Sequence, residues 1–272
     1  MAAKIRSNNP LMRASGILLG CHRGDRANFP ENTMEAFRAA VKLGVDAIET
    51  DVRRTKDDHL ILIHDRDVLR TTNGEGFVDE MALKEIRALD AGFWKGEQFR
   101  GAKVPTVEEF LEYISKTNVV VNWELKEWPM DHGEERPFKT VDLLVELLEK
   151  YNMVDRSIMN SFSERVLEYI ADRWPGRFMI HSYPHYKRPK DFASKPLPDF
   201  SDWAVIWNKD EDHPAGFRED YDYAALKGMQ TCILVPDTEE MYQKAIDMGC
   251  KMFTSDDPAK AVEILKKLGY RA

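Results

Sequence analysis

The run GVDAIETDVRRTKDDHLILIHD, residues 44–65, carries the reading of the fold. Within it, residues 47–52 form a short strand-like stretch in which Glu49 and Asp51 stand two apart, and residues 59–64 (HLILIH) form a second apolar run. Too few residues lie between the two for a parallel crossover, which needs about a dozen. The second run must therefore turn back as a hairpin. A two-residue loop at Asp57-Asp58 sets residue 56 against 59 and, stepping outward, His64 against Asp51. That geometry predicts an imidazole beside a carboxylate thirteen positions away.

Outward from this hairpin, short apolar runs alternate with amphipathic stretches. The runs at 17–22, 47–52, 119–125, 157–160, 178–181, 204–206, 231–235 and 251–254 read as strands. Helical spacing of apolar residues appears at 33–43, 106–116, 140–151, 163–173, 221–227, 238–248 and 258–268. Thr140, Ser163 and Thr238 stand where N-caps belong. Eight strands, each followed by a helix or a loop of suitable length, predict an α/β fold, a closed (β/α)8 barrel. An open doubly wound sheet is the competitor. Residues 65–103 form a Gly-rich insertion after the second strand, with one helical piece at 81–89, placed where a functional cap is expected. No repeat or linker divides the chain, so residues 1–272 are expected to form one domain.

Composition sets outer limits. The 272 residues carry 39 basic and 47 acidic side chains, a formal net charge of −8, which argues against a nucleic-acid partner. A local cationic cluster still permits a small anionic substrate. Cys21, Cys232 and Cys250 lie in or beside apolar runs and read as buried, reduced thiols. The N-terminal segment lacks the apolar core of a signal peptide, and no stretch approaches the roughly 18 apolar residues of a membrane span. Cytoplasmic location without membrane insertion is the expectation; oligomeric state is not set by the sequence.

Barrel chemistry gathers where strands end at their C-terminal side. His22-Arg23 ends the first strand, Glu49 and Asp51 share one face of the second, Glu124 and Lys126 share one face of the third, and the hairpin returns His64. Each pair alone has a plain structural explanation: Glu49 and Asp51 as partners of Arg53 and Arg54, Glu124 and Lys126 as partners of each other. Together they bring three carboxylates to one mouth, and burying such a cluster requires a cation. Three carboxylates suit one hard divalent ion, Mg2+ or Ca2+, with Mn2+ a further candidate. Arg23 offers a planar fork and Lys126 a point charge to a phosphate. Two histidines flanking that phosphate can divide acid and base roles.

At these residues the sequence resembles the glycerophosphodiester phosphodiesterase family. The likeness runs through His22-Arg23-Gly24, Pro30-Glu31-Asn32-Thr33, the stretch 44–52, Thr55-Lys56-Asp57, His64-Asp65 and Arg70-Thr71-Thr72-Asn73-Gly74. It continues in order through Leu89-Asp90-Ala91-Gly92, Val104-Pro105-Thr106, Glu124-Leu125-Lys126 and Thr254-Ser255-Asp256-Asp257-Pro258. The resemblance implies a TIM-type barrel that hydrolyses a small-molecule glycerophosphodiester to glycerol 3-phosphate and an alcohol. It implies Glu49, Asp51 and Glu124 as metal ligands, His22 and His64 as the acid–base pair, and Arg23 and Lys126 as phosphate contacts. Glu31 and Asn32 fall on the family's Glu-Asn pair beside the site, although Glu31 also suits a helix N-terminus. Attack by water or by the substrate's own hydroxyl both stay open.

Two departures stand out. Asp58 replaces the usual hairpin glycine, and Ile233-Leu234-Val235-Pro236 replaces a Trp-Thr-Val-Asn run, removing an aromatic wall that Trp123, Trp128 or Trp207 would have to supply. His132, His181, His185 and His213 match no motif and read as surface or structural. The altered mouth keeps a related activity on lysophospholipids or another small phosphodiester as the alternative. A binding protein without activity would be expected to have lost one of the acids or histidines, and all are present. A Cys21-His22 nucleophile is disfavoured because adjacent strand residues face opposite sides.

Overall fold

The computed structural model describes residues 7–184, 191–206 and 215–271. Within them the strands are β1 (Leu18–His22), β2 (Ala47–Arg54), β3 (Leu60–Leu62), β4 (Val120–Leu125), β5 (Ser157–Asn160), β6 (Met179–Ser182), β7 (Trp203–Ile206), β8 (Gln230–Leu234) and β9 (Met252–Ser255). All but β3 run parallel, and β1 pairs with both β2 and β9. That double pairing closes an eight-stranded barrel and removes the open sheet as an alternative. The helices are α1 (Met34–Lys42), α2 (Leu83–Ala88), α3 (Val107–Ile114), α4 (Pro129–His132), α5 (Glu135–Lys150), α6 (Glu164–Arg173), α7 (Arg218–Leu226), α8 (Glu239–Asp247) and α9 (Pro258–Lys267). Among the described residues no helix is long and apolar enough to cross a membrane.

Local chemistry explains most helix starts. Thr33, Ser163 and Thr238 accept backbone N–H bonds from the first turns of α1, α6 and α8, and Thr106 with Glu109 forms a reciprocal capping box on α3. Thr140 does not cap. α5 begins at Glu135, and Thr140 lies inside it, buried, donating to Glu127 Oε2 at 2.6 Å and accepting from Arg54 Nε at 3.0 Å. The first turn of α5 is charged, so the apolar periodicity that marks a helix starts late.

The hairpin forms, but in another register. Arg54 faces Leu60 and Val52 faces Leu62, and Ile63 donates to the Asp51 carbonyl at 3.1 Å. Ile63, not His64, therefore stands opposite Asp51. The cause is the loop: Thr55 N donates to His59 O at 2.9 Å around three residues, with Asp58 left-handed at φ 65°. A three-residue hairpin loop ends in such a residue. Asp58 occupies the glycine conformation at a cost, offset by its ion pairs with Arg54 and Lys139. Beyond the hairpin, Ile61, Ile63, Val68, Val78, Ile86, Ala91 and Val104 gather a small apolar cluster that seats the insertion on β3.

Period two sorts the barrel strands. Leu19, Cys21, Ile48, Val121, Trp123, Leu125 and Phe253 point outward into the main core beneath the helices. Leu18, Ala47, Val120, Ile158, Met179, Trp203, Cys232 and Met252 point inward and plug the barrel floor. Two residues further along the same faces the lining turns polar, with Glu49, Asn122, Asn160, His181 and Thr254, all buried. The three cysteines are buried and free. Trp123 packs against Phe110 and donates to Ser157 Oγ, so it belongs to the core and forms no wall of the mouth. His185, Trp207 and His213 lie outside the described residues.

His181 fits the structural reading. It is fully buried, stacks on Trp203 with ring centroids 5.4 Å apart, and among the described residues neither ring nitrogen has a hydrogen-bond partner. Burial alone pulls its pKa from 6.5 down to about 3. Below pH 6.5 the unfolded chain takes up a proton that the folded chain refuses, so stability falls with acidification until the folded value is reached. His181→Phe should make stability fall less steeply in this window, by about 1.4 kcal/mol per pH unit. Urea unfolding of both proteins across the window checks it; equal slopes would contradict the buried neutral imidazole.

Candidate active site

The first segment of the site is a tight turn. After His22, both Arg23 (φ 58°) and Gly24 (φ 79°) are left-handed. A side chain at Gly24 would meet the backbone and Cβ of Ala36 at 2.8 Å, so the turn needs glycine to sit on α1. Arg23 N donates to both Glu49 O and Glu49 Oε2 at 3.0 Å. Its guanidinium folds back into the mouth, with Nη1 2.9 Å from Glu31 Oε1 and Nε 3.1 Å from Asp51 Oδ2. Asn32 is also left-handed (φ 54°), a conformation asparagine tolerates. Its Nδ2 donates to Asp51 Oδ2 at 2.7 Å, and its Oδ1 accepts from Thr50 Oγ1 at 2.8 Å. Glu31 answers three guanidiniums, those of Arg23, Arg26 and Arg70, rather than a helix terminus.

Around this turn the three acids meet. Glu49, Asp51 and Glu124 are each at most 4% exposed, and one carboxylate oxygen from each lies within 4.8 Å of the other two. Lys126, also buried, bonds Glu124 Oε1 and lies 3.2 Å from Asp51 Oδ1. The suspected Glu124–Lys126 pairing therefore occurs. Asp51 instead pairs with Arg23 and Lys126 and not with Arg53 or Arg54, whose guanidiniums turn to backbone carbonyls and to Asp58. The cluster is left short of positive charge. Burial, then the charges of Asp51 and Glu124, push the Glu49 carboxyl well above the usual range. At Asp51 burial acts upward too, but Lys126 and Arg23 outweigh it and hold that carboxyl low. Among the described residues, buried Glu49 Oε1 has no hydrogen-bond partner, and Asp51 Oδ1 lacks one of good geometry. Oxygens opposed across an ion with bonds of about 2.0–2.6 Å stand about 4–5 Å apart, so the spacing suits one hard divalent cation.

Each histidine is gripped by its own carboxylate. His22 Nδ1 lies 2.6 Å from Asp256 Oδ1, while Nε2 faces the cluster, 3.9 Å from Glu49 Oε2. The carboxylate fixes Nδ1 as the protonated nitrogen. Burial lowers the pKa of this imidazole despite Asp256, favouring the neutral ring. His64, at the hairpin end, bonds Asp65 Oδ1 through Nδ1 at 2.6 Å. Asp65 then holds Arg70 Nε at 2.5 Å, and Arg70 grips Glu31 at 2.8 and 3.0 Å. The one-residue change of register thus leaves His64 at the mouth, near enough to Asp51 to help lower its pKa.

All nine residues singled out in the sequence come together. Five further contributors escaped it as site residues: Asp65, Arg70, Asp256, Phe162 and Tyr183. Asp65 and Arg70 sit close to His64 in the chain, but Asp256 is separated from His22 by 234 positions and only barrel closure unites them. Phe162 and Tyr183 lie just past the ends of β5 and β6, stacked with centroids 4.0 Å apart, and Lys126 Nζ lies 5.8 Å from the Phe162 ring centre. Burial, followed by the Glu124 charge, raises the Tyr183 phenol, so it remains protonated.

Known proteins place this geometry. The model of the glycerophosphoryl diester phosphodiesterase family matches residues 22–260. A glycerophosphodiester phosphodiesterase of Caldanaerobacter subterraneus subsp. tengcongensis is 43% identical over 160 residues, 58% of this chain and 63% of that protein. The uncharacterized protein YqiK of Bacillus subtilis is 30% identical over 254 residues, covering 90% of this chain and 97% of its own. The aligned region spans 63% and 60% of the length of the first two curated relatives. The fold is that of a glycerophosphoryl diester phosphodiesterase structure from Silicibacter pomeroyi, with TM-score 0.79 at 22% identity over 95% of this chain and 96% of that one. An Oleispira antarctica phosphodiesterase, solved with sn-glycerol-3-phosphate, superposes with TM-score 0.76 at 22% identity over 92% of this chain and 97% of that one. With the family model matched from His22 to Lys260, this chain belongs to the glycerophosphoryl diester phosphodiesterase family.

Proposed function

We propose that the chain hydrolyses glycerophosphodiesters to glycerol 3-phosphate and an alcohol, using one divalent ion, Mg2+ or Ca2+ with Mn2+ a third candidate, held by Glu49, Asp51 and Glu124. The observation that carries this is the buried three-carboxylate cluster with an unbonded Glu49 oxygen, flanked by two carboxylate-held histidines. The name of the Caldanaerobacter relative and the product bound to the Oleispira protein support the same substrate class.

A bound divalent ion neutralises charge developing on a phosphoryl oxygen. Arg23 and Lys126, set against Asp51 and Glu124, are placed to add donors to the remaining phosphate oxygens. His22 presents Nε2 to the mouth because Asp256 occupies Nδ1; Asp65 holds His64 in the same way. One imidazole withdraws a proton from the nucleophile, which is water or the substrate's own glycerol hydroxyl, and the other donates to the departing alcohol. On the hydroxyl route a water then opens the cyclic phosphate to glycerol 3-phosphate. A second reading, turnover of lysophospholipids, is favoured by exposed Leu69, Phe77 and Phe93 in the insertion and Met130 on α4 after β4, and by a human lysophospholipase D 25% identical over 90% of this chain.

Two tests separate these elements. Glycerophosphocholine, glycerophosphoethanolamine, bis(p-nitrophenyl) phosphate and lysophosphatidylcholine should be assayed with each ion and with excess chelator. Glycerophosphodiester turnover should vanish with chelator, return with the ion, and be absent in Glu49→Gln and Glu124→Gln; full turnover in chelator contradicts the metal role. In the same assay His22→Ala and His64→Ala should lower kcat by about 10²- to 10⁴-fold. Asp256→Asn, which loses the charge that orients His22, should lower kcat by about 10- to 100-fold with little change in KM. A wild-type kcat in Asp256→Asn would remove it from the positioning role.

A further inference from the structure

At the period of two, the inward face of β2 carries Glu49, Asp51 and then Arg53. The first two belong to the acidic cluster; Arg53, one step nearer the mouth, is 8% exposed. The other arginines here hold carboxylates: Arg23, Arg26 and Arg70 meet Glu31, and Arg54, on the outward face of β2, meets Asp58. Arg53 makes no ion pair among the described residues. Its Nε donates instead to the His64 carbonyl at 2.9 Å, and its Nη1 to the Lys126 carbonyl at 3.2 Å. Among the described residues neither carbonyl takes another hydrogen bond. Both residues stand just past strand ends, His64 beyond β3 and Lys126 beyond β4. The side-chain bond of His64 goes to Asp65, the next residue, and so orients the ring within its own loop. The tie from that loop's backbone to the barrel is Arg53.

We propose that Arg53 is a positioning residue that fixes His64 and Lys126 relative to each other across the mouth, acting through their backbone carbonyls. This inference rests on the glycerophosphodiesterase reading above, in which His64 moves a proton and Lys126 meets the phosphate. A guanidinium is planar and carries several donors in fixed directions, so one side chain can hold two acceptors from different chain segments at once. Its stem rises from a strand paired on both sides, which gives the two loop residues a common rigid anchor. Burying that charge without a carboxylate is expensive, and closing the hairpin alone does not require it, because the ladder bonds between β2 and β3 already do so. What the arginine adds is the link from the hairpin to the end of β4.

The test is a double-mutant comparison of kcat and KM on glycerophosphocholine with the divalent ion present. Arg53→Gln is made in the wild-type chain and in His64→Ala, and rates are taken per folded molecule, with the folded fraction read from thermal unfolding. Should Arg53→Gln fail to fold, Arg53→Lys, which keeps the charge and one end of the tie, takes its place. In the wild-type background Arg53→Gln should lower kcat by about 10- to 100-fold, the effect of a reacting group displaced by about 1 Å. In the His64→Ala background, where no imidazole is left to position, the same substitution should lower kcat by at most about 3-fold further. KM should rise in both backgrounds, because the tie to Lys126 is lost in each. A merely structural arginine predicts the same fold-loss of kcat with and without His64. Equal losses in the two backgrounds therefore overturn the proposal, as does a kcat loss that disappears once rates are taken per folded molecule. If wild-type protein turns over no glycerophosphodiester, the functional reading itself fails and the positioning role falls with it; wild-type turnover with an unaltered kcat in Arg53→Gln removes the role of Arg53 alone.

Discussion

Three carboxylates share the inside of one barrel mouth, almost wholly shielded from water, and the surrounding structure is organised around that charge. A single unpaired carboxylate costs several kcal/mol, roughly, to bury. Lys126 and Arg23 answer part of the cost, and their placement decides which acid stays ionised: Asp51, touched by both, is held low, whereas Glu49, one step deeper and further from them, is driven upward. Among the described residues the imbalance leaves one Glu49 oxygen without a hydrogen-bond partner, where a divalent cation would complete the charge balance.

The second layer of organisation is a chain of ion pairs running from His64 through Asp65, Arg70 and Glu31 to Arg23. It joins the hairpin, the insertion and the loop after β1 into one continuous rim. Left-handed backbone at Arg23, Gly24 and Asn32 accompanies it, conformations that cost of order 1–3 kcal/mol each outside glycine and persist where neighbours overdetermine them. The barrel supplies that overdetermination: Asn32 is tied at once to Asp51, Thr50 and the Arg23 carbonyl. Below the site, the polar interior of Asn122, Asn160 and His181 separates charged mouth from apolar floor. Above it, the Phe162–Tyr183 stack gives the otherwise charged opening one apolar side.

What the chain announced by itself were features with short-range causes. Strands and helices follow from period-two and period-3.6 apolar patterns, so eight staves and their helices are legible, as is the sharing of faces by Glu49 with Asp51 and Glu124 with Lys126. The turned-back run at 59–64 is legible too, because no crossover fits its short connection. Thr140 misled because hydrophobic periodicity registers apolar residues only, and the first turn of α5 opens on Glu135 and Arg136, the latter held by an ion pair with Glu127. The hairpin register slipped by one because two- and three-residue loops read alike in Lys56-Asp57-Asp58, and only the backbone conformation of Asp58 separates them.

Only the closed barrel decided the rest. Asp256 meets His22 because β9 lies beside β1, a pairing with no local signal. Tyr183 stands just past the end of β6, where its hydroxyl accepts from Asn160 of the neighbouring stave. Sequence patterns report what a residue does with neighbours a few positions away; a site assembled from side chains scores of positions apart is set by which strand lies next to which. The acids, the histidines and their order along the chain are a property of the sequence. Their meeting, and the partner each one holds, belongs to tertiary closure.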